Sequence, residues 1–149
     1  MTMNYSQFST NAAMQGPRLL DKATEGTTVP TVRVLIVDDE FPIRMLLTRM
    51  LKNWGYAVRH VDSANEALDV MAAEPADILL CDVTMPEYDG LQLTAQVHLQ
   101  WPRTAVIMCT GRQDAHAVQT SRRAGAVAYI TKPFNLYLLR EALDRASGR

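Results

Sequence analysis

At the centre of the sequence stands CDVTMPEYDG, residues 81–90, the stretch around which we interpret the rest of the chain. The apolar run from Ile78 to Cys81 leads into it and stops at the carboxylate of Asp82, a pattern that favours a buried strand. Asp89-Gly90 then turns the chain back. Because ligand crevices in open α/β sheets lie at the carboxyl ends of the strands, the pattern places Asp82 where chemistry is expected.

Three other apolar runs end, like the central one, in residues that can carry chemistry. Residues 34–37 lead to Asp38-Asp39-Glu40, residues 106–109 to Thr110-Gly111, and residues 128–131 to Lys132-Pro133-Phe134. The carboxyl ends of neighbouring parallel strands share one crevice. We therefore expect one set of side chains to converge there: Asp38, Asp39, Asp82, Thr110 and Lys132.

Strand and helix patterns alternate five times from residue 32 onward. Apolar runs predict strands at 32–37, 57–61, 78–81, 105–109 and 127–131, and helical spacing predicts a helix after each of them. Strands that are apolar on both faces and joined by helices imply a parallel sheet covered on both sides. We predict an α/β fold, a doubly wound five-stranded parallel sheet of flavodoxin-like strand order 2-1-3-4-5 with helices on both faces.

Capping residues and apolar spacing locate the helices. Pro42 suits the first turn of a helix over about 42–54, Ser63 has capping-box spacing before a helix that Pro75 ends, and Asn135 caps the last helix. The third and fourth helices are expected at about 90–100 and 114–124, the fourth being poor in large apolar residues. The first helix has helical apolar spacing that includes Leu46, and the last is predicted to bury Leu136, Leu139, Leu143 and Ala146.

Residues 1–31 differ in composition from the predicted folded domain at 32–149. They are rich in Thr, Ser, Asn, Gln and Gly, and only Leu19-Leu20 forms a local apolar pair. Such a segment buries too little surface to offset the entropy of ordering it, so we predict a flexible N-terminal extension. A short helix around residues 19–23 that docks on a partner and a leader without a role both remain alternatives.

Charge and cysteine content limit the classes of function. The formal net charge of -1 gives no reason to expect nucleic-acid binding by the whole chain. Residues 112–149 carry 7 Lys/Arg against 3 Asp/Glu, which suits either an acidic partner or a solvated basic face.

No apolar run has the roughly 18 residues that span a bilayer, and no signal peptide is evident, so we expect no membrane insertion. Cys81 and Cys109 are expected to be buried thiols in a reducing compartment, the cytoplasm.

Three carboxylates brought together, from Asp38, Asp39 and Asp82, repel one another unless a cation lies among them. A hard divalent ion with oxygen ligands, most simply Mg²⁺, meets that need. Lys132 and the Thr110 hydroxyl would complete a pocket for a tetrahedral anion beside Asp82. An aspartate can act as a nucleophile toward a phosphoryl group, and positioning with charge neutralisation supplies most of the catalysis.

These motifs together resemble the receiver domain of two-component response regulators, a CheY-like family, over residues 32–147. The resemblance rests on Asp38-Asp39-Glu40, on residues 82–90, on Thr110-Gly111 and on residues 128–134. It implies that Asp82 accepts a phosphoryl group from a histidine kinase or a histidine phosphotransfer protein. It also implies that Asp38 and Asp39, with Asp82 and the backbone carbonyl of Thr84, hold Mg²⁺, and that Lys132 pairs with the phosphoryl oxygens.

The resemblance also implies a switch. Thr110 is drawn toward the phosphoryl group, Tyr129 rotates inward, and the surface around the fourth helix, fifth strand and fifth helix changes for binding of a downstream protein. The Lys132-Pro133 bond is expected to be cis. Thr84 and Arg112 are expected at the rim of the pocket, where such positions tune phosphoryl hydrolysis. Arg112 either reaches the phosphoryl group or an acidic partner, or is a solvated side chain.

Two other functions compete with a stand-alone receiver whose only chemistry is self-phosphorylation and autodephosphorylation. One is a receiver cut from a longer regulator with an effector domain. The other is a Mg²⁺-dependent phosphatase that turns over external substrates, which the Thr at position 84 disfavours because such enzymes place Asp there. For the receiver we expect a monomer or a phosphorylation-dependent dimer, without direct contact to nucleic acid.

Overall fold

The computed structural model describes residues 30–83, 85, 89–111 and 115–148. Most of the predicted extension, as well as Thr84 and Arg112, lies outside these residues, so those interpretations stay predictions. The described part alternates between strand and helix: β1 Arg33–Val37, α1 Phe41–Asn53, β2 Ala57–Val61, α2 Ala64–Ala73, β3 Ile78–Cys81, α3 Gly90–Gln100, β4 Ala105–Thr110, α4 Ala115–Ala124, β5 Ala126–Thr131 and α5 Leu136–Ser147.

The five strands form one parallel sheet in the order β2-β1-β3-β4-β5. This confirms the predicted fold class and strand order. Val37 at the end of β1 pairs with Cys81 at the end of β3, and Thr110 of β4 pairs with Thr131 of β5. The residues that follow these strands therefore emerge at the same edge of the sheet.

Each strand contributes alternate residues to two hydrophobic cores, one on either face of the sheet. In β1, Leu35 and Val37 face the core covered by α2 and α3, whereas Val34 and Ile36 face the core covered by α1 and α5. Because side chains alternate along a strand, a strand buried on both faces reads as a continuous apolar run. This explains the uninterrupted apolar runs at 34–37, 78–81 and 105–109, whereas the edge strand β2 contains Arg59 and His60.

The capping signals of the sequence act as predicted. The hydroxyl oxygen of Ser63 accepts a hydrogen bond of 3.2 Å from the backbone N-H of Glu66. The side-chain oxygen of Asn135 accepts one of 3.1 Å from Leu138 N-H. Each contact satisfies a backbone donor that the first helical turn leaves without a partner. Predicted and observed boundaries consequently agree to within about one residue.

Two leucines are more exposed than their helical spacing indicated. Leu136, predicted to be buried, is 48% exposed, while Leu139 and Leu143 of the same helix are fully buried. Leu136 is the first residue of α5 and lies near the carboxyl edge of the sheet, where the strands no longer cover it. Leu46 of α1 is 49% exposed, because the sheet-facing side of that helix is formed by Leu47 and Leu51.

Two further expectations about packing, on the fourth helix and on the cysteines, are confirmed. The buried residues of α4 are the small Ala117 and Ser121, so this helix has little large apolar contact with the sheet. Cys81 and Cys109 are both buried and free. Within the described ranges, no helix combines the length and the apolar character needed to cross a membrane.

Candidate functional site

The two acidic residues that follow β1 and β3 lie side by side at the carboxyl edge of the sheet. Asp82 N-H donates a hydrogen bond of 3.1 Å to the carbonyl of Val37, so the β1-β3 ladder carries over into the loop. Asp38 is 2% exposed and Asp82 is 7% exposed. Two buried carboxylates of like charge need a compensating cation.

Lys132 supplies that positive charge from the end of β5. Its Nζ lies 2.8 Å from Oδ2 of Asp38, 3.1 Å from Oδ2 of Asp82 and 3.1 Å from Oε1 of Glu40. Its backbone N-H donates a 2.7 Å hydrogen bond to the carbonyl of Thr110, which fixes the start of the loop. The peptide bond from Lys132 to Pro133 is cis, as the family resemblance implied. One ammonium group therefore joins the ends of three strands.

Burial and neighbouring charge act in opposite directions on the Lys132 side chain. Burial disfavours the ammonium form, but the hydrogen bond and charge of Asp38, together with Asp82 and Glu40, outweigh it and raise the pKa of Lys132. The lysine consequently remains charged across the physiological pH range. It offers an anion entering the pocket a permanent positive partner.

The structure brings Asp38, Asp82 and Lys132 into direct contact and places Thr110 next to them. Thr110 ends β4, is 1% exposed and is bonded through its carbonyl to Lys132. Tyr129 is half-buried on β5, where it packs against the core covered by α2 and α3. Thr84 and Arg112, the predicted rim residues, lie outside the described residues.

The acidic group found in the structure differs in one member from the predicted one. Among the described residues, one carboxylate oxygen each from Asp38, Glu40 and Asp82 lies within 4.8 Å of the other two. Asp39 is exposed and does not belong to this group. Carboxylate oxygens are the hard ligands that Mg²⁺ prefers, so the donor set fits this ion.

Glu40 is a residue of the site to which the sequence analysis gave no role. It is the N-cap of α1, but its side chain makes no capping hydrogen bond and instead reaches Lys132. Its backbone N-H donates to Oδ1 of Asp38 at 2.9 Å. The signal available in the sequence was its place as the third acidic residue after β1.

The backbone of Asp82 and Val83 is in close contact with the start of α3. Gly90 N-H donates a 2.8 Å hydrogen bond to the carbonyl of Val83. A Cβ at Gly90 would overlap the carbonyl oxygen of Asp82 and come within 2.9 Å of Cα of Val83. Asp89 caps α3 by accepting a hydrogen bond of 2.7 Å from Leu91 N-H. Glycine is therefore required where the chain passes behind Asp82.

The two cysteines that end β3 and lie within β4 are close to the site, and their thiols stay protonated. The Cys81 Sγ donates to the carbonyl of Asp82 at 3.3 Å. Burial, assisted by the charge of Asp82, raises the pKa of Cys81 well above its usual range, and burial raises the pKa of Cys109 to about 12. Both groups are thus neutral and serve as packing residues.

The fold and this constellation agree with the comparison to known families. Residues 34–144 match the response regulator receiver domain. The chain therefore belongs to the response regulator receiver family. Domains of this family are phosphoryl-accepting regulatory domains, generally not enzymes, and they interact with histidine kinases or phosphotransfer proteins.

Similar proteins include regulators of two sizes. The DNA-binding transcriptional regulator NtrC of Klebsiella pneumoniae is 37% identical over 111 residues, which are 74% of this chain and 24% of NtrC. Sporulation initiation phosphotransferase F of Bacillus subtilis is 29% identical over 113 residues, 76% of this chain and 91% of that protein. This chain thus spans about a quarter of the NtrC relative and most of the phosphotransferase.

Solved structures of similar proteins share this fold. The chemotaxis protein CheY4 of Vibrio cholerae superposes with a TM-score of 0.74 at 29% identity, over 78% of this chain and 99% of that one. A CheY-like receiver domain protein of Methanospirillum hungatei gives 0.72 at 32% identity, over 80% and 98% of the two chains.

Proposed function

We propose that this protein is a phosphorylation-dependent switch in which Asp82 accepts a phosphoryl group from a phosphohistidine of a histidine kinase or phosphotransfer protein. The observation that carries the proposal is the Lys132 ammonium, which lies within 3.1 Å of the buried Asp38 and Asp82 carboxylates. A pocket of this kind holds a nucleophile and a cation at one point, with little room for bulk water.

The transfer is a displacement at phosphorus. A carboxylate oxygen of Asp82 attacks, a P-O bond forms as the P-N bond of the phosphohistidine breaks, and the imidazole nitrogen leaves with the electron pair and takes up a proton. Lys132 and the Thr110 hydroxyl stabilise the phosphoryl oxygens. Autodephosphorylation is attack of water on the same phosphorus, which breaks the new P-O bond and returns Asp82 as the carboxylate.

Four groups would hold the metal: Asp38, Asp39, Asp82 and the backbone carbonyl of Thr84, directly or through water. The position of Glu40 supports it as a further acidic neighbour. Mg²⁺, when bound, supplies charge neutralisation to the carboxylates and the phosphoryl oxygens. With the metal on the carboxylates, the Lys132 ammonium would be free to bind the phosphoryl oxygens instead of Asp38 and Asp82.

We place the output on the surface formed by α4, β5 and α5. Movement of Thr110 toward the phosphoryl group and inward rotation of Tyr129 would shift a population between two arrangements of this surface. A groove of about 510 Å³ lies between β5 and α5, and Val127 and Leu138 are 63% and 47% exposed along it. Such a groove supports binding of a downstream protein.

The rim residues would set how long the signal lasts. Thr84 and Arg112 flank the pocket in sequence, two positions after Asp82 and Thr110. Exchange of Arg112 for Ala should change either the lifetime of the phosphoryl group or the affinity for an acidic partner. Unchanged values of both would assign Arg112 to solvent.

The relatives and the two cysteines support proposals for the protein in which the domain occurs and for its cellular compartment. The NtrC match supports a receiver within a longer regulator, and the phosphotransferase match supports a receiver on its own. The two free, buried cysteines support a reducing compartment, the cytoplasm. We propose a monomer that forms a dimer, if at all, on phosphorylation, which sedimentation with and without beryllofluoride would measure.

Intact-mass spectrometry after incubation with Mg²⁺ and acetyl phosphate tests the function. We expect one added phosphoryl group in the protein and in Asp69→Asn, an exposed acid on α2 that serves as the control, and none in Asp82→Asn. Absence of an adduct in the protein, together with no binding of beryllofluoride, would overturn the proposal.

A further inference from the structure

Arg44 of α1 binds the main chain of the acidic site, and this hydrogen bond does not involve a carboxylate group. Its Nη1 donates a hydrogen bond of 2.8 Å to the main-chain carbonyl of Asp38. Its Cζ lies 5.5 Å from the centre of the Phe41 ring, and its Nε is buried without a hydrogen-bond partner among the described residues. The bond to Asp38 therefore orients the guanidinium, with the ring beside it.

The same aspartate is held at three other points. Its N-H donates to the carbonyl of Val61 at 3.3 Å, its Oδ1 accepts from Glu40 N-H, and its Oδ2 accepts from Lys132. With Arg44 on the carbonyl, both main-chain polar groups and both carboxylate oxygens of Asp38 are engaged. The turn between β1 and α1 is thus held by the neighbouring strand β2, by α1 and by the lysine that follows β5.

The two cations near Asp38 act differently on the pocket. Lys132 binds carboxylate oxygens, and so competes with a divalent cation for its ligands. Arg44 binds the carbonyl, and so leaves the carboxylate oxygens available while fixing the residue that carries them.

We propose that Arg44 is a positioning residue for the divalent-cation pocket: by holding the Asp38 carbonyl it fixes the turn that presents Asp38 and Glu40 to Asp82. The inference rests on the proposed function, because it concerns the cation which that function requires. Partners that orient metal ligands typically change metal affinity by about 10- to 100-fold when removed.

The sign of the effect separates this role from a purely electrostatic one. A positive charge near the pocket repels Mg²⁺, so if charge were all that mattered, Arg44→Met would bind Mg²⁺ more tightly than the natural protein. If Arg44 positions Asp38, the same variant binds Mg²⁺ more weakly. A residue that only fastens α1 to the sheet would lower the melting temperature and leave the Mg²⁺ dissociation constant unchanged.

The experiment is a titration of the whole protein with Mg²⁺ alone by isothermal calorimetry, with melting temperatures recorded in parallel. We expect Arg44→Met to raise the dissociation constant by about tenfold, and Arg44→Lys and Arg44→Gln, which each keep a nitrogen that can donate a hydrogen bond, to raise it less. Arg49→Met, an exposed position on the same helix, should match the natural protein. At saturating Mg²⁺ the loading rate from acetyl phosphate should recover in Arg44→Met.

An unchanged or lower dissociation constant in Arg44→Met would overturn the inference. If that variant does not fold, the Lys and Gln variants decide, and equality of both with the natural protein overturns it. The proposed function fails separately, by absence of Mg²⁺ binding and of phosphoryl loading in the natural protein itself.

Discussion

Asp38 and Glu40 both contact the Lys132 ammonium, but they differ in their access to water. The side chain of Asp38 is 3% exposed and that of Glu40 is 58% exposed. A buried carboxylate is held in one orientation by its partners, whereas an exposed one gives up hydration and mobility to bind an ion. At the scale of single residues, we therefore expect Asp38 to contribute more to cation binding.

Substitution at the two positions measures this difference. Asp38→Asn should weaken Mg²⁺ binding by about tenfold or more, the size of effect that follows when a group that orders a metal site is removed. Glu40→Gln should weaken it by less. Calorimetric titration with Mg²⁺ gives both constants. A larger loss for Glu40→Gln than for Asp38→Asn would show that the exposed carboxylate is the principal ligand.

The Lys132 ammonium lies between the buried carboxylates of Asp38 and Asp82. Because it offsets their mutual repulsion, we expect it to stabilise the metal-free protein. We expect Lys132→Met to lower the free energy of unfolding without Mg²⁺ by about 3 kcal/mol, the loss typical when one partner of a buried pair is removed. Mg²⁺ should then raise the melting temperature more in this variant than in the natural protein. Urea denaturation with and without Mg²⁺ measures both, with Lys52→Met, an exposed position on α1, as the control.

The opposite outcome for Lys132→Met is equally informative. Equal or greater stability of the metal-free variant would mean that the three carboxylates do not strain the fold. In that case the lysine would act only on the phosphoryl group.

At the scale of elements, the start of α3 lies directly against the backbone of Asp82 and Val83, which follow β3. Gly90 begins α3 directly behind Asp82, and its lack of a side chain lets the helix backbone approach the loop. At Gly111, after β4, the described residues other than Gly111 and its chain neighbours place no atom within 4 Å of the position that a Cβ would occupy. The two glycines therefore form a matched pair for testing the contact.

Gly90→Ala should destabilise the protein by about 3 kcal/mol, since the new methyl group meets backbone atoms that cannot turn aside. Gly111→Ala should change the free energy of unfolding by less than about 1 kcal/mol. Chemical denaturation of both variants gives the comparison. Similar values for the two would mean that the β3-α3 loop adapts, and that Gly90 is not required by geometry.

The element boundaries could be predicted from sequence because local signals mark them. Ser63 and Asn135 cap their helices through bonds to residues three positions on, so the information is contained in the sequence spacing itself. The exposure of Leu136 and Leu46 could not be predicted in the same way. Leu136 lies at the first position of α5, and Leu46 lies off the side of α1 that faces the sheet, and both depend on how the helix packs in the assembled fold.

At the scale of the whole molecule, the two hydrophobic cores define the fold, and the register of the paired strands places the site at their carboxyl ends. The sequence indicated Asp38, Asp82, Thr110 and Lys132 because each follows or ends an apolar run, and parallel strands bring those ends together. The contacts of Glu40 and Arg44 were not predictable, because each depends on the direction in which a side chain leaves α1. The resemblance named Asp39, which is exposed in the structure, so its part in ion binding stays a prediction.

The thiols of Cys81 and Cys109 report on the integrity of both cores. Because burial raises the pKa of Cys109 to about 12 and that of Cys81 well above its usual range, neither forms the reactive thiolate near pH 8. We expect no reaction with an aromatic disulfide reagent in the folded protein and two equivalents in guanidinium. One equivalent released rapidly at pH 8 from the folded protein would contradict the burial of that cysteine.

The central claim is that the phosphoryl group is carried by Asp82, and borohydride reduction tests it most directly. Reduction of an aspartyl phosphate converts the residue to homoserine, which peptide mass spectrometry locates in the chain. After treatment with acetyl phosphate and Mg²⁺, we predict homoserine at position 82 alone, and none in Asp82→Asn. Homoserine at another position, or its persistence in the variant, would contradict the account.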